Sequence, residues 1–182
     1  MTTRVILTYA DYAAIPNDGR RYELHEGEVS VTPAPGTRHQ RAVGELLVIL
    51  HQHVRAGGVG EVFVSPIDCI LSDTTIVQPD LVYLDRSRVT AVSERGIEGP
   101  PTLVVEVLSP STIQIDRVVK GQIYAKHRVP FYWIVDPERR TVEAFELSGD
   151  GYRSAGRLEG DAARALPPFP DLALDPATIW PR

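Results

Sequence analysis

Two carboxylates occupy unusual positions in this sequence. Glu106 lies inside the apolar segment Leu103–Leu108, where an ionised and unpaired carboxylate would cost several kcal/mol. Asp80 follows Pro79 at the start of a second apolar segment, and the chain between Asp80 and Glu106 is long enough to place them on neighbouring strands. Two such carboxylates repel each other, and a divalent cation relieves the repulsion. We therefore predict that Asp80 and Glu106 are metal ligands. The alternative for Glu106 is a buried pair with an arginine or a lysine.

A lysine follows the Glu106 segment at a distance that suits catalysis. Lys120 lies in the first turns of a helix predicted over 116–127. If that helix packs back on the sheet, the ammonium group could steady an attacking water or offset the charge of a transition state. An oxygen-only site that also holds phosphate oxygens suits Mg²⁺ or Mn²⁺. The pattern predicts metal-dependent hydrolysis of a phosphodiester, with a solvent-exposed helix lysine as the alternative for Lys120.

The surrounding pattern predicts the elements that position these residues. Two short alternating segments on either side of Glu26-Gly27 predict an N-terminal β-hairpin. Apolar residues at helical spacing predict a helix over 38–55 with Thr37 as its N-cap. The segments 61–64, 67–71, 77–84, 102–108, 131–135 and 141–147 are predicted strands, 86–99 is a predicted loop with some helix, and a proline-rich loop with one helical turn ends the chain. This order predicts an α/β (α+β mixed sheet) fold, with helices flanking the sheet.

Composition narrows the class of protein. The chain has 182 residues, 43% hydrophobic residues and a net charge of −5, which predicts one domain over 1–182. Its lone cysteine, Cys69, predicts a small buried side chain and no disulfide staple. The N-terminal residues lack the pattern of a signal sequence and no apolar run is long enough for a membrane helix, so we expect a cytoplasmic protein. No serine-hydrolase, phosphate-loop or dinucleotide-binding motif is present.

The motifs together resemble the Uma2 family, a bacterial group of restriction-endonuclease-like proteins within the PD-(D/E)xK nuclease superfamily. The resemblance runs from about Tyr9 to the end of the chain. It rests on the segments 21–28, 39–40, 77–81, 104–112 and 132–137. It implies a restriction-endonuclease-like fold, a divalent metal and an endonuclease acting on nucleic acid, with DNA favoured over RNA. Leu108 stands where the superfamily places its lysine. In some branches the following helix supplies that lysine, and Lys120 is the matching residue here.

The resemblance adds further candidates. Glu23 matches the family's Tyr-Glu-Leu and could approach the metal or pair with Lys120, or be an exposed hairpin residue. His39 could shuttle a proton or contact a phosphate, or be an ordinary residue of the helix N-terminus. Glu45 could be a further acidic ligand or a solvated side chain. We count Glu23 and His39 with the candidate catalytic residues.

The acidic net charge counts against nucleic-acid binding by the whole surface, so any contact must use a local basic patch. The predicted basic rim consists of Arg38, Arg41, Arg117 and Lys126. Two alternatives to the endonuclease remain open. One is a non-catalytic module on the same fold that binds nucleic acid or a protein, favoured by Leu108 and the acidic charge. The other is a scaffold or toxin-like homodimer assembled through the proline-rich tail.

Overall fold

The fold was analysed in a computed structural model that describes residues 5–109 and 115–180. Its α-helices are α1 (Tyr9–Ala13), α2 (Thr37–Gly57), α3 (Gly121–Lys126) and α4 (Pro176–Ile179). A 3₁₀ turn spans Val89–Ala91, and a π-helical segment spans Ile115–Lys120. The strands are β1 (Arg21–His25), β2 (Glu28–Thr32), β3 (Gly60–Val64), β4 (Cys69–Ser72), β5 (Thr75–Val77), β6 (Leu81–Asp85), β7 (Val92–Ser93), β8 (Gly96–Glu98), β9 (Leu103–Val107), β10 (Phe131–Asp136), β11 (Thr141–Ser148), β12 (Gly151–Leu158), β13 (Arg164–Leu166) and β14 (Phe169–Leu174).

The described strands form two six-stranded sheets and one hairpin. The first sheet has the order β2-β1-β5-β4-β8-β7, and the second has the order β12-β11-β10-β9-β6-β3. Both sheets are mixed, since β4 pairs in parallel with β8 and β9 pairs in parallel with β10. The predicted mixed α+β fold is therefore confirmed. β9 lies between β10 and β6 and all of its residues are buried, as predicted for a central strand.

The N-terminal hairpin formed by β1 and β2 is confirmed. Its two turn residues, Glu26 and Gly27, have φ angles of 52° and 85°. Two consecutive left-handed residues make the turn whose twist matches that of paired strands. A side chain at Gly27 would also collide with Ile6, because its Cβ would lie 2.4 Å from the Ile6 Cγ2 atom. The turn places β1 in the interior of the first sheet, with β2 at the edge.

Helix α2 forms as the apolar spacing predicts. Its buried face packs against the second sheet. The buried residues are His39, Ala42, Val43, Leu46, Leu50 and Val54. The helix begins at Thr37 with Gly36 as its N-cap, so the N-cap predicted at Thr37 was one residue late. It ends at Gly58, which adopts the left-handed conformation typical of a helix C-terminus.

The predicted strand over 77–84 is two strands in different sheets. β5 belongs to the first sheet and β6 to the second, with Gln78, Pro79 and Asp80 linking them. Pro79 has no N–H to contribute to a strand ladder, which is a physical reason for the break. Asp80 therefore lies at the passage from one sheet to the other and not at the start of a long strand.

The other differences concern segments that were predicted as loop or plain helix. The segment 86–99 contains the short hairpin of β7 and β8, and the C-terminal part contains β12 and the β13–β14 hairpin. Phe169 of β14 is buried against Tyr83 and Trp133, so this hairpin packs into the hydrophobic core. The helix predicted over 116–127 is a π-helical segment followed by α3. The segment Ser109-Pro110-Ser111-Thr112 is expected from its sequence to end the strand predicted over 102–108, and its residues from Pro110 on lie outside the described residues. Within the described part of the chain, no helix is both long enough and apolar enough to cross a membrane.

Candidate functional site

Three carboxylates meet where the two large sheets adjoin. Glu23 comes from β1 of the first sheet, Glu106 from β9 of the second, and Asp80 from the link between the sheets. Their exposed fractions are 1%, 2% and 4%, respectively. Burial of three carboxylates requires compensating charges and hydrogen bonds, and the structure supplies both.

Lys120 is buried between two of these carboxylates. Its Nζ atom lies 3.0 Å from Glu23 Oε1 and 3.0 Å from Glu106 Oε1. The lysine ends the π-helical segment, and only 4% of the residue is exposed. The alternative of a solvent-exposed lysine is therefore wrong, and so is that of an exposed Glu23. The buried Glu–Lys pair considered for Glu106 is present, and the catalytic role of these residues remains a prediction.

Asp80 is held by three donors. Its Oδ2 atom accepts a hydrogen bond from the Val107 N–H at 2.8 Å and lies 3.1 Å from His39 Nε2. Its Oδ1 atom lies 3.4 Å from the Arg21 guanidinium. Burial acts to raise the pKa of Asp80, but the hydrogen bond and charge of His39, the Val107 N–H and the Arg21 charge outweigh it and lower that pKa. Asp80 is therefore held ionised.

Glu23 is held in the same way. Its Oε1 atom accepts the Gln78 N–H at 2.6 Å, and its Oε2 atom lies 3.3 Å from His25 Nε2. Burial acts to raise the pKa of Glu23, but Lys120, His25 and the Gln78 N–H outweigh it and lower that pKa to about 2. The Glu23 carboxylate thus anchors Lys120 from the side opposite Glu106.

Tyr124 completes the surroundings of Glu106. Its hydroxyl group donates a hydrogen bond to Glu106 Oε1, the same atom that Lys120 approaches. Complete burial, together with the neighbouring charges of Glu106 and Glu23, raises the pKa of Tyr124 well above its ordinary value. Tyr124 follows Lys120 by four residues, so one helical face delivers both donors to Glu106.

The sequence-based reasoning missed Arg21, His25, Gln78 and Tyr124. A usable signal existed for two of them, because Arg21, Glu23 and His25 alternate along β1 and must share one face of the strand. Tyr124 stands one helical turn after Lys120, which is a weaker signal. Gln78 acts through its backbone N–H, which no side-chain pattern reveals.

The remaining predicted site residues lie apart from the cluster. Glu45 is half-buried on α2, and no hydrogen bond or ion pair joins it to the cluster within the described residues. Arg117 pairs with Glu143 at 2.8 Å, and Lys126 pairs with Glu26. They line two separate cavities, while Arg38 and Arg41 line a third. The four basic residues therefore do not form the single rim that was predicted.

A cavity of about 540 Å³ lies next to the cluster. Its wall includes His39, whose ring contacts Asp80, and Leu108, which follows the Glu106 strand. The buried His39 Nδ1 atom has no hydrogen-bond partner among the described residues. A neutral imidazole that donates from Nε2 to Asp80 leaves Nδ1 as an acceptor. The cavity therefore meets the cluster at the His39 ring, while Glu23, Asp80, Glu106 and Lys120 do not line it.

The donor set suits a hard divalent cation with few protein ligands. Among the described residues, no group of three His, Cys, Asp or Glu side chains is arranged to hold a metal ion. Mg²⁺ is commonly bound through one or two carboxylates, with water and substrate phosphate completing its shell. Asp80 and Glu106 fit that requirement, because the bond from Val107 ties Asp80 to the residue next to Glu106.

Charge supports the same fit. The three buried carboxylates face two basic side chains, Lys120 and Arg21, so the cluster has one negative charge in excess when all five groups are ionised and its histidines are neutral. A divalent cation at the Asp80–Glu106 edge would turn that excess into one positive charge, which a substrate phosphate would balance. This is a property of the residues present and holds whichever divalent ion binds.

The mixed sheets and the junction of carboxylates with a lysine define a chain of the restriction-endonuclease-like class. It belongs to the Uma2 family, whose description is "Putative restriction endonuclease" and whose model matches residues 9–177. The fold is similar to the crystal structure of a DUF820 protein from Anabaena variabilis, described as a "putative nuclease". The TM-score is 0.79 at 21% sequence identity, with 96% of this chain and 97% of that chain covered. No curated protein matches the chain.

Proposed function

We propose that this protein is a metal-dependent endonuclease that hydrolyses phosphodiester bonds of a nucleic acid, with DNA favoured over RNA. The observation that carries the proposal is the position of Lys120, whose ammonium group reaches Glu106 from the helix that follows β9. This is the group that Leu108 cannot supply from the strand. Family membership supports the nucleic-acid substrate.

The choice of residue at position 120 supports a chemical role. The chain contains only two lysines, Lys120 and Lys126, and otherwise uses arginine for positive charge. A buried pair that served stability alone would be well served by arginine, whose planar group binds carboxylates with two hydrogen bonds. A lysine instead presents a compact charge at the end of a flexible stem. That geometry suits contact with an oxygen atom of a reacting phosphate or water.

Asp80 and Glu106 would hold Mg²⁺ or Mn²⁺. When bound, such an ion supplies a more acidic water and offsets the charge of the phosphoryl oxygens. The protein's own groups prepare the site for this chemistry. Arg21 and the Val107 N–H fix the orientation of Asp80, while Tyr124 fixes that of Glu106.

Lys120 and His39 are the groups that would act on the reacting atoms. Glu23 holds the Lys120 ammonium in place, so Lys120 can donate a hydrogen bond to the developing negative charge without a costly reorganisation. His39 Nδ1 is buried and has no hydrogen-bond partner among the described residues, so it could accept a proton once a water or a substrate atom moves in from the adjoining cavity. His39 Nε2 stays committed to Asp80.

A second candidate function is a non-catalytic module that binds a nucleic acid or a protein. The observation that favours it is the pairing of Asp80 and Glu106 with cationic groups of the protein itself. Such pairs can balance buried charge without any metal. Metal binding therefore separates the two candidates.

The test is isothermal calorimetry with Mn²⁺ at neutral pH on the wild-type protein and on the variant Glu106→Gln. Glu94→Gln is the matched control, because it removes one carboxylate from an exposed position outside the cluster. We expect binding by the wild type and the control, and at least about tenfold weaker binding by Glu106→Gln, a loss near 1.4 kcal/mol.

Cleavage of labelled single-stranded DNA, duplex DNA and RNA should show the same difference: the wild type and Glu94→Gln should cleave at similar rates, and Glu106→Gln should cleave more slowly. Cleavage by Glu106→Gln at the wild-type rate would contradict the proposed site. A wild-type protein that neither binds Mn²⁺ nor cleaves any of the three substrates would favour the non-catalytic module.

A further inference from the structure

We propose that a nucleic-acid strand binds along an arginine-lined trough that begins at His39 and ends at Trp180. The trough is defined by Arg38, Arg41, Arg139, Arg140 and Trp180. The inference rests on the proposed nuclease function and adds to it the surface that receives the substrate. Its ligand chemistry is the phosphodiester backbone, with an unpaired base at the Trp180 end.

The trough is continuous because three cavities share their walls. The cavity of about 540 Å³ at His39 shares Arg38, Pro137 and Glu138 with a second cavity of about 330 Å³. The second cavity shares Arg140 and Trp180 with a third of about 510 Å³. A strand whose scissile phosphate lies at the His39 end could therefore extend past Trp180.

The trough has a formal excess of one positive charge, four arginines against three acids, on a chain whose net charge is −5. Its four arginines are exposed, and three acids line it as well: Glu138, Asp161 and the buried Asp136. Glu138 pairs with Arg38, and both side chains are largely exposed. Exposed pairs of this kind are weak and are screened by salt, so a phosphate can displace Glu138 from Arg38.

The turn between β10 and β11 is built to present two of these arginines. Asp136 Oδ1 accepts the N–H groups of Glu138 at 3.1 Å and Arg139 at 3.0 Å, which fixes the turn from its buried side. Arg140 has a φ of 54°, a left-handed conformation that glycine or asparagine adopts at less cost. An arginine kept at a strained turn position is a sign that its side chain has a use on the surface.

Trp180 offers a stacking surface at the far end of the trough. The indole lines the second and third cavities and packs in part against the core. Its Nε1 atom is buried and has no hydrogen-bond partner among the described residues. Aromatic side chains beside arginines are the usual platform for bases of single strands.

The first test measures binding without divalent metal, so that cleavage plays no part. Fluorescence anisotropy with labelled single-stranded DNA, duplex DNA and RNA would compare the wild type with Arg139→Gln/Arg140→Gln. The matched control is Arg153→Gln/Arg157→Gln on β12, which removes the same charge from side chains that line none of the three cavities.

We expect the trough variant to bind at least about tenfold more weakly, and its slope of log K against log salt to fall by about 1.8 on duplex DNA or about 1.4 on a single strand. The control variant should keep the wild-type slope. Glu138→Gln should bind more tightly than the wild type, because it frees Arg38.

The second test uses the two tryptophans as internal probes. Trp133 is fully buried, so quenching of tryptophan emission by a bound oligonucleotide reports Trp180. We expect quenching by single-stranded DNA or RNA in the wild type and its loss in Trp180→Phe, which keeps an aromatic ring and the fold.

Two results would overturn the trough. Equal affinities and salt slopes for the trough and control variants would place the nucleic acid elsewhere while leaving the nuclease proposal intact. Absence of binding to all three oligonucleotides would remove the trough, while metal binding at Glu106 would still be decided by calorimetry. Weaker binding by the trough variant without any loss of Mn²⁺ binding would support the trough independently of catalysis.

Discussion

Replacing Glu23 with glutamine should make the stability of the protein depend less on pH. The folded-state pKa of Glu23 is lowered from 4.5 to about 2, because Lys120, His25 and the Gln78 N–H outweigh the effect of burial. A depressed pKa contributes stability above the unfolded-state value, and this contribution is lost as pH falls towards the folded-state value. The shift corresponds to about 3 kcal/mol at pH 7, of which about 2 kcal/mol should be lost by pH 3.

The assay is urea unfolding of the wild type and Glu23→Gln between pH 3 and pH 7. Glutamine keeps the size of the side chain and an acceptor for the Gln78 N–H, so the change isolates the charge. We expect the difference in unfolding free energy to shrink by about 2 kcal/mol from pH 7 to pH 3. Glu94→Gln serves as the exposed control and should give a difference close to zero at every pH. A Glu23→Gln difference that stays constant over this range would refute the charge-based account.

Two further variants test the supports of Glu106. Tyr124→Phe removes the hydroxyl that donates a hydrogen bond to Glu106. In urea unfolding it should lower the unfolding free energy by about 1–3 kcal/mol, and in calorimetry it should weaken Mn²⁺ binding. Unchanged stability and affinity would show that this hydrogen bond contributes nothing. Lys120→Met should abolish cleavage, because it removes the ammonium group. Adding Leu108→Lys should restore part of the cleavage, because Leu108 packs in the same cluster as Tyr124, on the Glu106 side of the sheet, and a lysine there starts on the same side. No recovery in the cleavage assay, from a double variant shown to be folded by circular dichroism, would mean that only the helix can present the ammonium group.

The sequence was sufficient where a local pattern has one physical solution. The residues Glu26-Gly27 between two alternating segments predict a hairpin, and the structure has one there. The apolar spacing over α2 predicts a helix with one buried face, which the structure also has. A carboxylate inside an apolar strand must find a partner, so Glu106 could be singled out before any contact was known. These predictions depend only on residues close together in the sequence, whose relative positions are set by the repeat of the helix or strand that contains them.

The sequence was insufficient where two distant segments have to meet. Pro79 is a sequence signal for a break in the strand, but nothing around Asp80 shows that the chain passes there from one sheet to the other. The role of Arg21 depends on the distance between β1 and that link, which only the packing of the sheets determines. The turn over 136–140 joins the strands predicted over 131–135 and 141–147, but its part in a trough follows only from the position of Trp180.

The position of the cluster at the junction of the sheets joins its chemistry to the stability of the fold. Glu23 belongs to the first sheet and Glu106 to the second, and Lys120 neutralises both only when the two sheets are assembled. Without the first sheet Lys120 would keep Glu106 but lose Glu23, and without the second sheet Glu23 would lose Lys120. The same assembly places His39, which contacts Asp80, in the wall of a cavity of about 540 Å³. The residues that pair their charges at the junction of the sheets are therefore the same residues that the proposed cation site would use.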